Sequence, residues 1–211
     1  MEKSKLAAVT LTIILLSGCN TTSPEATPTQ ESNLPSRSAD NQSSSLGPTA
    51  STTKIYKPAT SLGPAENVPL PKMPSIAKGN SKESADAFAQ YYFALINYTV
   101  ESNDPEPIKQ NSSRKCEVCG TAIIDPAGRA QITGKWQVGG KHKYKVIDSY
   151  KPSKDKAIVS VRFEVDAAEF YINPKELESR NPKTPSKVAA LSLKYDSGWK
   201  VDAVTFEETR Q

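Results

Sequence analysis

The sequence predicts an α+β fold in which helices come first and a curved, mostly antiparallel sheet follows. Three patterns predict it. Ala85, Phe88, Ala89, Tyr92, Leu95, Ile96 and Thr99 keep the three-and-four spacing of a one-faced helix. Val159, Val161, Phe163 and Val165 alternate with Ser160, Arg162, Glu164 and Asp166, the period-two signature of a strand with one buried face. Leu191, Leu193 and Tyr195 repeat that alternation before Asp196-Ser197-Gly198, and Trp199, Val201 and Ala203 begin a return strand, with Gly198 available for positive φ in the hairpin loop.

The elements follow in order. Asn80 or Ser81 caps the long helix, whose Tyr91, Tyr92, Phe93 and Tyr98 make it rich in aromatic rings. Asn103-Asp104-Pro105 breaks it. Residues 105–110 form a short helical turn and residues 116–124 another, which Asp125-Pro126 ends or kinks because the residue before proline is pushed out of helical geometry. Gly139-Gly140 is a turn, and Tyr144 and Val146 open a strand. Residues 173–186 contain Pro174, Pro182 and Pro185 and read as an excursion with at most one helical turn, since proline cannot donate to a strand ladder.

The N-terminal part has a different character. Lys3 and Lys5 precede an apolar run from Leu6 to Leu16, and Leu16-Ser17-Gly18-Cys19 follows, the layout of a signal peptide with small residues before its cleavage point. The run is too short to span a bilayer. A cysteine directly after Leu-Ser-Gly resembles the bacterial lipobox, which implies that the Cys19 thiol receives a diacylglyceryl group and becomes the new N-terminus. Two acyl chains anchor stably where one is marginal, at roughly 0.8 kcal/mol per buried methylene. The reading is therefore residues 1–18 as signal peptide, residues 19–75 as lipidated Cys19 plus a disordered linker, and residues 76–211 as the folded domain. Between Asn20 and Pro74 the chain has one aromatic residue, Tyr56, and little apolar bulk among its Ser, Thr and Pro residues, too little burial to offset ordering entropy. As a flexible coil it spans about 40 Å.

Charge excludes little and steers little. Lys3, Lys5 and Glu2 leave with the signal, which brings the formal charge of +4 for the whole chain to about +3. Acids are interleaved among the bases, so the clustered basic face of a nucleic-acid binder is missing and no nucleic-acid partner is expected.

Helices followed by a sheet that closes on Gly198-Trp199-Lys200-Val201 resemble the cone of the nuclear-transport-factor-2-like (NTF2-like, SnoaL-like) superfamily over residues 79–209. More narrowly, Met73-Pro74, then Ala85-x-x-Phe88-Ala89-x-Tyr91-Tyr92, then Cys116-x-x-Cys119 is similar to an actinobacterial lipoprotein family of unknown function, the DUF6318 type. The resemblance implies the same plan of anchor, linker and domain, and it supplies no activity. Enzymes of the wider superfamily use pocket Asp, His and Tyr residues, and none of their sites maps onto positions here.

The chemistry-bearing residues are few. Of three cysteines, Cys19 is taken by lipid, which leaves Cys116 and Cys119 as an even pair on the oxidising side of the membrane and predicts a disulfide. The alternative is a redox Cys-x-x-Cys at a helix start, although Glu117-Val118 fills the loop and no βαβ context surrounds it. A zinc site wants four Cys or His ligands, and His142 is the one histidine, so no metal or cofactor is expected. Set at Gly139-Gly140-Lys141-His142-Lys143, it reads as an exposed turn residue rather than a triad member. Asp148, Glu164, Asp166 and Glu169 have no spacing that separates a carboxylate pair from solvated strand faces. Gly139-Gly140 lacks the Lys-Ser/Thr and the helix of a phosphate loop.

The expectation is a monomeric, non-enzymatic module that binds a ligand or protein at the cell envelope, anchored by its lipid to the outer face of the membrane. A pocket lined by Phe88 and Tyr92 from the helix and by Phe163 and Trp199 from the sheet is the candidate site. The alternatives are an NTF2-like enzyme using a pocket acid and an envelope thiol redox protein using Cys116 and Cys119.

Overall fold

A computed structural model describes residues 54–207. Cys19, the signal peptide and the linker up to residue 53 lie outside the described residues.

The first long element is α1, Lys82–Ser102, and its start is set by two serines. The Ser84 amide donates to the Ser81 hydroxyl at 3.1 Å and the Ser81 amide donates to the Ser84 hydroxyl at 2.8 Å, a reciprocal cap that satisfies two amides no helical carbonyl can reach. The end is set by Asn103, whose left-handed backbone (φ 56°) turns the chain out of the helix. Phe88, Tyr92, Leu95 and Thr99 stand one turn apart and are removed from water.

A short helix, Glu106–Gln110 (α2), precedes the cysteines. The expected turn at residues 116–124 is a turn of α-helix, Glu117–Cys119 (α3), that widens into a π-helical turn, Gly120–Ile124. Asp125-Pro126 does not end it. A further helix, Asp125–Thr133 (α4), continues directly, with proline in its first turn, where the missing amide has no partner to lose. Gly134, at φ 71°, closes α4.

Among the described residues seven strands follow in two antiparallel sheets: Trp136–Gly139 (β1), His142–Ser153 (β2), Lys156–Val165 (β3), Ala168–Asn173 (β4), Glu176–Asn181 (β5), Lys187–Tyr195 (β6) and Trp199–Phe206 (β7). The larger sheet has the order β2-β3-β6-β7 and the smaller one β1-β4-β5. Two of the three crossings between them, β1 to β2 and β3 to β4, pass one tight corner. Gly139 and Gly140 take positive φ there, and the Gly140 amide donates to the Ala167 carbonyl at 3.0 Å. A Cβ on Gly139 would stand 2.3 Å from that carbonyl oxygen, so the corner admits only glycine.

The large sheet bends at three irregularities of register, between Val146 and Asp148, between Tyr150 and Ser153, and between Ser192 and Leu193. Its concave face carries Ala157, Val159, Val161, Leu191, Leu193 and Val201, all buried in one core with the apolar face of α1. The α+β expectation, with helices packed on a curved antiparallel sheet, holds.

Four local expectations change. Residues 173–186 are not an excursion: β5 pairs with β4, and Pro174 falls in the connecting turn while Pro182 and Pro185 fall beyond the paired stretch. In the closing hairpin Ser197, not Gly198, takes the left-handed conformation, at φ 60°. In β7 Leu193 faces Val201 while Ser192 faces Ala203, so Asp202 is the extra residue of a bulge and the inward phase passes from Ala203 to Val204. The domain also begins before residue 76. Lys57 and Glu66 exchange two backbone hydrogen bonds of 2.9 Å, the Trp136 indole donates to the Thr60 carbonyl at 2.8 Å, and the Lys175 amide donates to the Ser61 carbonyl at 2.7 Å. This strap pairs its backbone with itself between Lys57 and Glu66 and hands the Thr60 and Ser61 carbonyls to the domain, which offsets the low apolar content that read as disorder.

Candidate binding cavity

A cavity of about 500 Å³ opens between the C-terminal half of α1, the π turn with α4, and the concave sheet. Its floor is Tyr92 and Ile96 of α1 with Ala189 and Leu191 of β6. Trp136, stacked on Tyr171 at 5.7 Å, walls one side. The bulge at Asp202 turns Val204 and Phe206 inward to line another.

Of the four expected lining residues, Tyr92 and Phe163 lie in the cavity. Phe88 and Trp199 do not. Phe88 is one turn before Tyr92 on α1 and is sealed in the core at 0% exposure. Trp199 opens β7 beside the start of α1, where its indole donates to the Ser84 hydroxyl at 3.2 Å and the Lys151 ammonium sits 4.7 Å from its ring centre. The N-terminal half of α1 is filled by these two rings, so the open volume falls at the other half.

Tyr92 is held by burial and by one bond. Its hydroxyl lies 2.8 Å from the Ser112 hydroxyl, and desolvation pushes its pKa up to about 12, so it stays neutral.

His142 corrects the sequence reading. The turn ends at Lys141, and β2 begins with His142 clamped to α1: its amide donates to the Asn97 side-chain oxygen at 2.7 Å and its carbonyl accepts from the Asn97 side-chain nitrogen at 2.9 Å. The imidazole stacks on Phe163 (5.7 Å) and meets the edge of Phe93 (6.2 Å) in the cavity wall. Burial among these rings pushes its pKa down to about 4, so the ring is neutral at neutral pH, and Nδ1 is buried without a protein partner.

The acids named from the sequence lie elsewhere. Glu164 pairs with Lys183 at 3.0 Å, Asp166 with Lys143 at 2.8 Å and Glu169 with Arg180 at 2.8 Å, while Asp148 is solvent-exposed. Among the described residues the one acid lining the cavity is Glu178 of β5, and it is ion-paired with Lys135 at the rim. Arg129 and Ala130 of α4 and Phe170 of β4 also line it and were missed by the sequence reading. Asp125-Pro126 hid α4, and β5 is exposed along nearly its whole length, so it carries no alternation by which to find Glu178.

Cys116 and Cys119 are joined by a disulfide, and both are buried, at 4% and 1% exposure. Cys119 forms part of the cavity wall. Among the described residues no three His, Cys, Asp or Glu side chains converge as a metal site. The arrangement can enclose an apolar molecule and offer it one uncharged imidazole.

A long helix closing a curved antiparallel sheet around an apolar hollow defines an α+β domain with a small-molecule-sized pocket. The chain belongs to a family of unknown function (DUF6318), whose model matches residues 54–205. No curated protein matches it. Among solved structures it is similar to the intermembrane space region of the chloroplast protein ARC6, at 12% identity over 61% of this chain and 98% of that one, with a TM-score of 0.42. It is also similar to an NTF2-like protein of unknown function from Shewanella oneidensis MR-1, at 12% identity over 60% of this chain and 99% of that one, TM-score 0.37. An NTF2-like superfamily protein from Salmonella enterica serovar Typhimurium LT2 is similar at 12% identity over 61% and 94%, TM-score 0.38. Likeness at this level carries nothing about activity or partners.

Proposed function

We propose that the chain is a non-enzymatic binding module, held at the outer face of the cell membrane by a lipid on Cys19, that takes an envelope ligand into the cavity beneath α1. The observation that carries this reading is the cavity itself. About 500 Å³ lies in the range of small-molecule sites, and the hollow runs from the exposed rim down to Tyr92 at 1% exposure. A core that merely packed well would leave no such volume. The lining supplies no acid free of an ion pair and no free thiol, which favours holding over turnover. The buried disulfide also stands against the redox alternative, because exchange needs an accessible sulfur.

The anchor rests on Lys3, Lys5, the apolar run and the lipobox-like Leu16-Ser17-Gly18-Cys19. No helix among the described residues is long and apolar enough to cross a membrane. Incorporation of labelled palmitate into the expressed chain, lost in Cys19→Ala, tests it; labelling that persists in the variant sinks it.

The cavity is tested on the chain from Asn20 onward with the neutral apolar fluorophore N-phenyl-1-naphthylamine. Enhanced fluorescence that disappears in Ala130→Trp, a variant whose new ring enters the cavity from α4, is the expected result. Ala130 is partly exposed, so the variant's melting temperature reports that the fold survives. No enhancement, or equal enhancement in the variant, overturns the reading.

A further inference from the structure

The cavity joins two environments that one ligand must satisfy together. At its floor Tyr92, Ala189 and Leu191, and beside them Cys119 of the wall, are each at 2% exposure or less. No charge is available there. The Tyr92 hydroxyl is already bonded to Ser112, and the His142 imidazole, set against Phe93 and Phe163, is neutral. An ionised group pushed to that depth would lose its hydration without an opposite charge to replace it.

The rim is different. Lys135 and Glu178 neutralise each other. Arg129, on the exposed side of α4, lines the same opening, and its guanidinium makes no ion pair and no hydrogen bond among the described residues. Since Glu178 is the one acid in the lining among the described residues, the mouth keeps one positive charge without an ion-pair partner above an apolar well. A guanidinium presents a planar pair of donors that matches the oxygens of a carboxylate or phosphate. A cationic head would meet repulsion here, and a neutral head would accept at most a weaker hydrogen bond from Arg129.

We infer that the cavity takes a single-chain anionic amphiphile, with its apolar body against the Tyr92 and Leu191 floor and its carboxylate or phosphate head on Arg129. This rests on the cavity being a ligand site, as proposed above. A free fatty acid and a lysophospholipid share this chemistry, and the head group distinguishes them.

The chain from Asn20 onward is loaded with N-phenyl-1-naphthylamine, and the probe is displaced with dodecanoate, dodecyl phosphate, dodecanol and dodecyltrimethylammonium below their micellar concentrations. At least one anion is expected to displace the probe at about tenfold lower concentration than dodecanol, the scale of one charge-assisted contact. The tighter of the two anions names the head group. The advantage collapses in Arg129→Gln, is partly kept in Arg129→Lys, and shrinks as salt rises from about 0.01 M to about 0.5 M. Dodecanol or the cation matching the better anion, or an Arg129→Gln variant that keeps the full advantage, overturns the inference while the bound probe leaves the cavity reading standing. Failure of the probe to bind at all overturns both.

Discussion

Burial between Phe93 and Phe163 keeps the His142 imidazole neutral, and that neutrality makes stability depend on pH. The folded-state pKa is near 4 against an ordinary value of 6.5, so between these values the unfolded chain takes up a proton that the folded chain refuses. This contribution is complete above the unfolded value and is lost as pH falls towards the folded one, for a total on the order of 3 kcal/mol. A drop in melting temperature between pH of about 7.5 and about 5 is therefore expected, and His142→Phe, which keeps an aromatic ring in the stack, should remove most of it. An equal drop in the variant would show that other groups carry the effect. At the same scale, Ser197 holds φ 60° without glycine's freedom, so Ser197→Gly should stabilise by about 0.5 to 1 kcal/mol, read from urea midpoints. Gly139→Ala should cost about 2 kcal/mol or more, because its Cβ would meet the Ala167 carbonyl oxygen at 2.3 Å. The hairpin loop was legible from Asp196-Ser197-Gly198, but not which residue would twist, because serine and glycine there differ by less than the strand pairing on either side supplies.

Among the elements, those buried on one face were readable and those buried on neither were not. α1, β3 and β6 declare themselves because each has a dry side and a wet side, which imposes a period on the residues. β5 has almost no dry side, so Glu176–Asn181 shows no period, and pairing with β4 alone makes it a strand. The run from α3 through the π turn into α4 was hidden for another reason. Asp125-Pro126 argues for a stop, but the wide turn Gly120–Ile124 resets the hydrogen-bond ladder, with the Asp125 amide reaching back to Gly120, just where the proline would have broken it. The disulfide sits at the head of this run. It closes so short a loop that the chain-entropy model assigns it only about 2 kcal/mol, so Cys116→Ser with Cys119→Ser should lower stability modestly by urea titration. A near-complete loss of folding would mean that the pair supports far more than its own turn. Half of the candidate site followed the same logic: Tyr92 and Phe163 were found from periodic elements, while Arg129, Ala130 and Glu178 stand on elements whose pattern was silent.

For the molecule as a whole, the boundary of the fold is set by hydrogen bonds rather than by apolar content. Tyr56 donates to Glu101, which also pairs with Lys141 at 2.9 Å, and Thr60 holds the Trp136 indole. A chain starting at residue 76 should therefore keep the α1 and β3-β6-β7 core but exchange the amides of β1 and β4 faster than one starting at residue 54, as amide hydrogen exchange would show. Equal protection in both would make the strap ornamental. The same attachment has a mechanical consequence. Force arriving along the chain from its N-terminal side meets Tyr56 and the Thr60-Trp136 bond before it meets the core, and Trp136 is a wall of the cavity. Under load from the N-terminal side this strap is expected to act as a fuse, and what its loss would release is the side of the hollow, not the fold.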